Sequence, residues 1–279
     1  MSGDGKGRVV LVTGAAGGLG GVMTKALLDA GHAVAGIDRS SAGLDKLAAS
    51  VAQHSERFLP VTAELSDAAQ CSAIVAKTVA HFGRLEGVIN NAGIGMSEIR
   101  PDAEKNHPGL EELTPEIWDR FFAVNARAPM LIVRAALPHM RKSGWGRIVN
   151  NTTSYRTMLR VLPYGAVKAA LESMSAVWAD ELKGSGITVN VLVPGGPTDT
   201  PFISDAAGWR REEMLKPAIM AAPACWLMSD ASDGFTGQRI TAADWDSSLA
   251  PADAARKATR GIGWPELAAQ TAWWPKGNP

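Results

Sequence analysis

Two residues four positions apart could carry out proton chemistry. Tyr164 and Lys168, in "YGAVK", stand at the start of a long helical pattern in a chain with only two tyrosines. Residues four apart lie on one face of a helix, and a nearby ammonium group lowers the pKa of a phenol from about 10. Such a phenol can take a proton from an alcohol or give one to a carbonyl oxygen. Taken alone, the spacing equally fits a buried tyrosine beside a surface lysine. The other tyrosine, Tyr155, has Leu159 four residues later and no cation.

The elements around this pair predict one α/β domain. Short apolar runs alternate with helical patterns, which is typical of βαβ units and a parallel sheet. The helix that begins at Tyr164 has an apolar stripe of Val167, Leu171, Met174, Val177, Trp178 and Leu182. We predict strands at 8–13, 33–38, 57–61, 85–90, 146–152, 186–193 and about 237–242. The order predicts a Rossmann-type doubly wound sheet, whose ligands bind beyond the carboxyl ends of the strands.

Composition argues against several classes of partner. The 28 basic and 28 acidic residues cancel, and no basic run stands out, so we do not expect nucleic acid binding. The apolar runs are shorter than the roughly 18 residues that span a bilayer, and the polar N-terminus does not resemble a signal peptide. Cys71 and Cys225 lie in no metal-ligand spacing. We therefore expect a cytoplasmic protein without a membrane partner or a metal site.

A glycine-rich loop follows the first predicted strand. In "TGAAGGLG", Gly14, Gly18 and Gly20 allow a tight turn and close approach to a pyrophosphate, which the start of the next helix attracts. A tight turn without a ligand is the alternative. The second strand ends at Asp38, whose carboxylate can accept hydrogen bonds from a ribose diol.

The cofactor choice depends on the residues after the second strand. Asp38 would repel the 2'-phosphate of NADP, and Gly17 offers no compensating cation, so the sequence favours NAD over NADP. Arg39 is the opposing feature, because a guanidinium could bind that phosphate or stack on adenine. A solvated loop arginine is the other interpretation.

Three motifs in order carry a resemblance to a known family. "TGAAGGLG", "NNAG" at 90–93 and Tyr164 with Lys168 resemble the single-domain branch of the short-chain dehydrogenase/reductase family, over about residues 8–242. The resemblance implies a Rossmann-type fold, a nicotinamide cofactor and Tyr164 as general acid/base. Lys168 is then its electrostatic partner and holds the nicotinamide ribose. The family also implies a homo-oligomer, commonly a tetramer built through segments 114–141 and 164–183.

Two further catalytic residues follow from the resemblance. Asn125, in "FFAVNARAP", matches an asparagine whose backbone helps to hold a water relay to the lysine, although a helix-interior amide that bonds locally is the alternative. The substrate-orienting hydroxyl is Thr153 when counted from the strand in "IVNNTTS". The family's usual spacing before Tyr164 points instead to Asn151, and a shorter loop reconciles the two counts. Thr153 is our first choice and Ser154 our second.

The remaining cofactor contacts are also implied by the resemblance. In the resembled family, the segment that matches "NAG" at 91–93 runs along the adenosine half of the cofactor, and the one that matches "EL" at 64–65 lies near its adenine. The segment "PGGPTDT" holds the nicotinamide carboxamide through Pro197, Thr198 or Thr200. The implied cofactor residues are Gly14, Gly18, Leu19, Gly20, Asp38, Arg39, Glu64, Leu65, Asn91, Ala92, Gly93, Tyr164, Lys168, Pro194, Gly195, Pro197, Thr198 and Thr200.

Two regions depart from the family pattern. Residues 94–113 form an insertion, and the tail 243–279 contains Trp245, Trp264, Trp273 and Trp274. We expect the tail to pack on the domain or on a neighbouring subunit. Both regions are expected to shape the substrate entrance, and surface decoration is the alternative.

The substrate-facing segments are apolar. The expected wall consists of Met96, Met158, Leu159, Phe202 and Trp209. No basic residue has an assured place in this wall, so we expect an uncharged, hydrophobic secondary alcohol or ketone as substrate. The alternatives are a non-catalytic dinucleotide-binding regulator or scaffold, and an epimerase or dehydratase with tightly bound NAD.

Overall fold

An eight-stranded sheet runs through the structure, a computed structural model that describes residues 7–266. The strand order is β3-β2-β1-β4-β5-β6-β7-β8, and all neighbours are parallel except β7 and β8. The strands are β1 Val9–Thr13, β2 Ala33–Asp38, β3 Phe58–Thr62, β4 Gly87–Asn90, β5 Gly146–Asn150, β6 Ile187–Val193, β7 Gln238–Thr241 and β8 Thr259–Gly261. The predicted Rossmann-type fold is confirmed, and the seven predicted strands match β1 to β7 to within two residues.

Helices cover both faces of the sheet. They are α1 Gly18–Asp29, α2 Ser41–Ser50, α3 Ala68–Phe82, α4 Pro115–Phe122, α5 Ala128–Ser143, α6 Tyr155–Met158, α7 Tyr164–Glu181, α8 Ala221–Leu227 and α9 Pro251–Lys257. One apolar cluster joins one face of the sheet to α1, α2 and α8, and a second joins the other face to α3, α5 and α7. This double cover explains why β1 and β6 are buried along their whole length and are mostly apolar, with Thr13 in β1 and Thr188 and Asn190 in β6 as the polar exceptions.

The order of the strands indicates where along the sheet a ligand would bind. β2 and β4 lie on either side of β1, so the chain crosses to the opposite half of the sheet after β3. In such sheets, ligands bind at this switch point, beyond the carboxyl ends of the strands. The loop after β1 is the glycine-rich one, and the loop after β4 is the insertion.

The buried face of α7 is more polar than its apolar periodicity predicts. Val177, which we placed in the apolar stripe, is 61% exposed. The face turned to the sheet instead carries Lys168, Glu172 and Ser175 among its buried residues. The apolar periodicity does not predict this face, because buried hydrogen bonds satisfy the polar groups of Lys168, Glu172 and Ser175.

The described part of the tail packs on the domain. The Trp245 ring lies 6.0 Å from that of Trp226, and the Trp264 ring lies 5.9 Å from that of Tyr155. β8, within the tail, pairs with β7. Trp273 and Trp274 lie outside the described residues.

The insertion is folded against α4 and α7. Met96–Glu98 and Leu110–Glu112 form single turns of 3-10 helix, and Ile94, Met96 and Ala103 join a small apolar cluster with Phe121 and Val167. Among the helices of residues 7–266, none is both long and apolar enough to cross a membrane.

Candidate active site

The glycine-rich loop turns sharply from β1 into α1. Gly14 has φ of 67°, which only glycine adopts without strain. A Cβ added at Gly20 would lie 2.0 Å from the Gly14 carbonyl oxygen, so a side chain at this position is excluded. The first turn of α1 has no acidic side chain. The loop therefore forms a backbone cradle beside a helix N-terminus, which suits a pyrophosphate.

Asp38 and Asn91 flank this cradle. Asp38 accepts hydrogen bonds from the backbone N–H groups of Ala16 and Ser40, each at 3.0 Å. Asn91 donates its side-chain amide to the Thr13 carbonyl at 3.0 Å. The Thr13 hydroxyl in turn accepts from the backbone N–H groups of Asn91 and Ala92. Sequence reasoning missed Thr13, whose signal was a hydroxyl at the last position of an otherwise apolar strand.

Other predicted cofactor residues differ in what they contact. Leu65 lies in the core, and Glu64 caps its own turn by accepting from the Ser66 N–H and hydroxyl at 3.0 Å. The Thr198 hydroxyl bonds locally to the Gly196 carbonyl. The Thr200 side chain lies against the glycine-rich loop, because a Cβ added at Gly18 would meet its methyl group at 2.4 Å. Of the candidates for the carboxamide, Thr200 is thus the one in contact with the cradle.

The rest of that segment lies close to the same edge. Gly195 has φ of 106°, and the Pro194 carbonyl accepts from the Ala243 N–H at 2.9 Å. The Pro197 carbonyl accepts from the Leu215 N–H at 2.9 Å. The first bond joins the loop after β6 to the start of the tail, and the second joins this loop to the segment that precedes α8.

The proton-transfer candidates come together at the end of β5. Tyr164 and Lys168 occupy the first turns of α7, with the Lys168 Nζ 5.7 Å from the centre of the Tyr164 ring. Lys168 is 3% exposed and donates to the Asn151 carbonyl at 2.7 Å. The Thr153 side chain lies close enough to the Tyr164 phenol to lower its pKa. Ser154 instead caps α6 by accepting from the Thr157 N–H at 3.1 Å, so the geometry favours Thr153 as the substrate-orienting hydroxyl.

Burial controls the protonation of both groups. It raises the pKa of the Tyr164 phenol above its usual value, and the nearby Thr153 side chain offsets only part of this rise. The direction is opposite to the one expected from the Tyr164–Lys168 spacing, because in this structure the desolvation of the phenol dominates. Burial also lowers the pKa of Lys168 to about 8. The phenol is therefore neutral at pH 7, and the ammonium is close to its titration range.

Asn125 lies in a single π-helical turn, Ala123–Arg127, between α4 and α5. Its amide donates to the carbonyls of Phe121 and Ile94, at 3.1 and 3.3 Å, and its oxygen accepts from the Ile94 N–H at 3.2 Å. The side chain therefore bonds locally and also anchors the start of the insertion. A Cβ added at Gly93 would meet the Asn125 oxygen at 2.6 Å and the Lys168 Nζ at 3.5 Å, so Asn125 borders the lysine. π-turns of this kind are frequent at functional sites.

The expected substrate wall divides into buried and exposed residues. Phe202 packs its ring 5.7 Å from that of Tyr164 and covers Gly95. Leu159 is 78% exposed, and Trp209 is also exposed. Met96 and Met158 are buried. Of these residues, Phe202 lies directly beside the phenol.

Comparison with known proteins identifies the family. A family model described as short chain dehydrogenase matches residues 8–210. The chain belongs to this family. It is 30% identical over 246 residues to a 3-oxoacyl-[acyl-carrier-protein] reductase from Thermotoga maritima, covering 84% of this chain and 96% of the relative.

Solved structures of the family share the fold. A 3-ketoacyl-(acyl-carrier-protein) reductase from Brucella melitensis, complexed with NADH, is 29% identical with a TM-score of 0.69, over 83% of this chain and 94% of that one. A short chain dehydrogenase from Shigella flexneri, complexed with NADP, is 27% identical with a TM-score of 0.75, over 85% and 98%. The chain is thus a member of a family of NAD(P)-binding oxidoreductases.

Sequence reasoning missed a buried ion pair behind the loop that carries Thr153. Arg239 of β7 donates to the Glu172 carboxylate at 2.6 Å, and both side chains are buried. Thr152 donates to the same carboxylate at 2.7 Å, and Arg239 also donates to the Thr153 carbonyl. The pair therefore fixes the backbone that presents the Thr153 hydroxyl. Its signal in the sequence was Glu172, one turn beyond Lys168 on the same helical face.

Tyr155 completes this network rather than the catalytic site. Its hydroxyl donates to the Gly263 carbonyl at 2.8 Å, and the guanidinium of Arg239 lies 4.4 Å from the centre of its ring. The sequence offered no cation four residues away, but the fold supplies one from β7. The tail thereby contacts the loop that carries Thr153.

Within residues 7–266, no group of three or more histidine, cysteine, aspartate or glutamate side chains is arranged to hold a metal ion.

Proposed function

We propose that the protein is an NAD-dependent dehydrogenase or reductase that acts on an uncharged, hydrophobic secondary alcohol or ketone. The observation that carries the proposal is the grouping of Tyr164, Thr153 and Lys168 at the sheet edge that also carries the glycine-rich cradle. Family membership supports the same chemistry, because the matched relatives are named as reductases and dehydrogenases.

The residues at this edge fit a nicotinamide dinucleotide. The backbone cradle at residues 14–20, where a Cβ at Gly20 would collide with the Gly14 carbonyl, suits the pyrophosphate, and Asp38 can accept hydrogen bonds from a ribose diol. Family structures that hold NADH or NADP support this class of cofactor. The Asp38 carboxylate favours NAD, since it would repel a 2'-phosphate. When bound, the nicotinamide supplies or accepts the hydride.

The chain's own residues handle the proton. The Thr153 hydroxyl orients the substrate oxygen, and the neutral phenol of Tyr164 donates a proton to it when a carbonyl is reduced. Lys168, cationic below its pKa of about 8, stabilises the phenolate that forms. In the oxidative direction, the same phenolate accepts the proton of the alcohol.

The surroundings of the phenol support a hydrophobic substrate. Phe202 covers one side of Tyr164 and limits access of water. The nearby Arg211 is engaged in holding its own loop, since it donates to the carbonyls of Thr200 and Ile203 at 2.9 and 2.7 Å. Arg211 is therefore not free to bind a substrate carboxylate or phosphate.

A spectrophotometric screen of alcohols and ketones with NAD(H) and NADP(H) tests the proposal. The two tyrosines of the chain provide a matched pair of variants. Tyr164→Phe should lower the rate by about 10²–10⁴-fold while NADH binding is retained. Tyr155→Phe should keep most of the activity. Turnover that survives in Tyr164→Phe would refute the assignment, and activity confined to acidic or phosphorylated substrates would refute the substrate class.

We also infer a cytoplasmic homo-oligomer. The free thiols of Cys71 and Cys225 suit a reducing compartment. The exposed apolar residues Trp118 on α4 and Val177 on α7 lie in the two segments that form subunit contacts in the resembled family. Analytical ultracentrifugation should detect a dimer or tetramer, and Val177→Arg should shift it towards monomer. A monomer at micromolar concentration would contradict the oligomer.

A further inference from the structure

An ion-pair bridge joins the insertion to the end of β2. The Arg39 guanidinium donates to Glu98 Oε1 at 2.8 Å, and Arg120 contacts Glu98 Oε2 at 2.7 Å. The Glu98 side chain is 22% exposed, whereas that of Arg39 is 55% exposed. Both carboxylate oxygens of Glu98 are therefore engaged.

The bridge spans the cleft above β1. Arg39 follows β2 directly, and Glu98 lies in the connection that leaves β4. β2 and β4 are the two neighbours of β1, whose carboxyl end carries the glycine-rich cradle. The Arg39–Glu98 pair thus connects the two sides of the region where, under the proposed function, the adenosine ribose binds next to Asp38.

The charge around Arg39 is strongly acidic. The hydrogen bond to Glu98 is the largest cause of the raised pKa of Arg39, and Glu64 and Asp38 add attraction. One guanidinium thus lies within the field of three carboxylates. In the sequence, Arg39 was the one residue near Asp38 that could compensate the charge of a 2'-phosphate. In the structure, its guanidinium is already paired with the Glu98 carboxylate.

We propose that Glu98 is a specificity-determining residue that selects NAD over NADP by engaging Arg39. A 2'-phosphate could bind Arg39 only after displacing the Glu98 carboxylate, and it would then face the like charge of that carboxylate, which Arg120 alone would still pair. NAD has only a ribose hydroxyl at this position, so it can bind Asp38 while the bridge stays closed. The inference rests on the proposed function and assigns a role to the insertion.

The simpler interpretation is an ordinary surface ion pair, and such pairs contribute little to stability. It predicts that removing Glu98 changes neither cofactor affinity. The two interpretations therefore differ in a measurable way.

Direct binding separates them. The dissociation constants of NADH and NADPH are measured by fluorescence titration, without substrate, for the wild type, Glu98→Gln and Glu98→Ala. We expect Glu98→Ala to bind NADPH at least about tenfold more tightly, because the freed guanidinium can form one charge-assisted hydrogen bond with the 2'-phosphate. Its NADH affinity should change by less than about threefold, and Glu98→Gln should lie between the wild type and Glu98→Ala.

Two further variants serve as controls. Adding Arg39→Met to Glu98→Ala should abolish the increase in NADPH affinity, because the freed guanidinium is its cause. Glu112→Gln removes another carboxylate of the insertion, one that pairs with Arg100 at 3.4 Å, and should leave both affinities unchanged.

The possible failures are distinguishable. A wild type that binds NADH but shows no increase in NADPH affinity in Glu98→Ala would overturn the role of Glu98 alone. A wild type that already binds NADPH as tightly as NADH would overturn the role of Glu98 together with the NAD preference of the proposed function. A wild type that binds neither cofactor would overturn the proposed function together with this inference.

Discussion

Replacing Lys168 with methionine should stabilise the fold while it removes activity. Burial lowers the pKa of Lys168 from 10.5 to about 8, so the folded protein holds the cationic form at a free-energy cost of about 3 kcal/mol at pH 7. Methionine has a similar length and no charge. It also leaves the Asn151 carbonyl without its 2.7 Å donor, which costs about 1 kcal/mol. The expected net increase in unfolding free energy at pH 7 is about 2 kcal/mol.

The sign of the pH dependence follows from the same two values. Between about pH 8 and pH 10.5, the unfolded chain keeps its proton on Lys168 and the folded chain does not, so wild-type stability rises with pH in this window. The free-energy cost of the buried ammonium is fully present below the pKa of Lys168 in the folded protein. It disappears above the pKa of this lysine in the unfolded chain. At pH 9.5 it has fallen to about 1 kcal/mol. The advantage of Lys168→Met should therefore nearly vanish at that pH.

Urea unfolding followed by tryptophan fluorescence, without added cofactor, measures this difference at pH 7 and pH 9.5. Groups that titrate equally in both proteins cancel when the variant is compared with the wild type. Lys183→Met, which changes an exposed lysine just after α7, serves as the control and should show no pH-dependent difference. If the difference between Lys168→Met and the wild type is the same at both pH values, the reasoning from a buried ammonium is refuted.

Three further substitutions test neighbouring parts of the site. Thr153→Ala should lower kcat by about a hundredfold with the NADH dissociation constant unchanged, and equal kcat values for variant and wild type would exclude its role. Ser154→Ala should cost about 1 kcal/mol of stability, measured by urea unfolding, and keep activity, because it removes only a helix cap. Arg239→Met should cost about 3–5 kcal/mol by leaving Glu172 buried without its cation. Arg256→Met, which breaks an exposed pair, should change stability by less than about 0.5 kcal/mol, and a similar loss in both arginine variants would argue against the buried network.

The strands of the sheet were predictable because they are covered on both faces. β1 and β6 are short, mostly apolar segments close to glycines, and in a chain that alternates strands with helices such segments are best explained as buried strands. β8 was not predictable, since three residues carry no periodicity and its pairing with β7 is antiparallel. The glycine-rich loop and the Tyr164–Lys168 pair were found because their spacing along the chain is short.

Contacts between distant residues were not accessible in this way. Glu172 and Arg239 are 67 positions apart, so their pairing depends on the fold rather than on any local pattern. The choice between Thr153 and Ser154 depends on which hydroxyl caps α6. Counting positions from the strand or from Tyr164 cannot decide it, because the two residues are neighbours on an irregular loop. The pKa of Tyr164 is raised mainly by desolvation, and the four-residue spacing to Lys168 gives no information about burial.

The partners that fix the loop carrying Thr153 and Tyr155 come from a later part of the sequence, and this has a consequence for biosynthesis. The carbonyl of Thr153 is bound by Arg239, and the hydroxyl of Tyr155 is bound by Gly263, both from the last part of the chain that the structure describes. A ribosome completes the first six strands before it makes either partner, and domains fold from the N-terminus during synthesis. The nascent chain can therefore assemble the strands around its glycine-rich loop early, but the loop that carries Thr153 and Tyr155 gains these two partners only once Arg239 and Gly263 have been made.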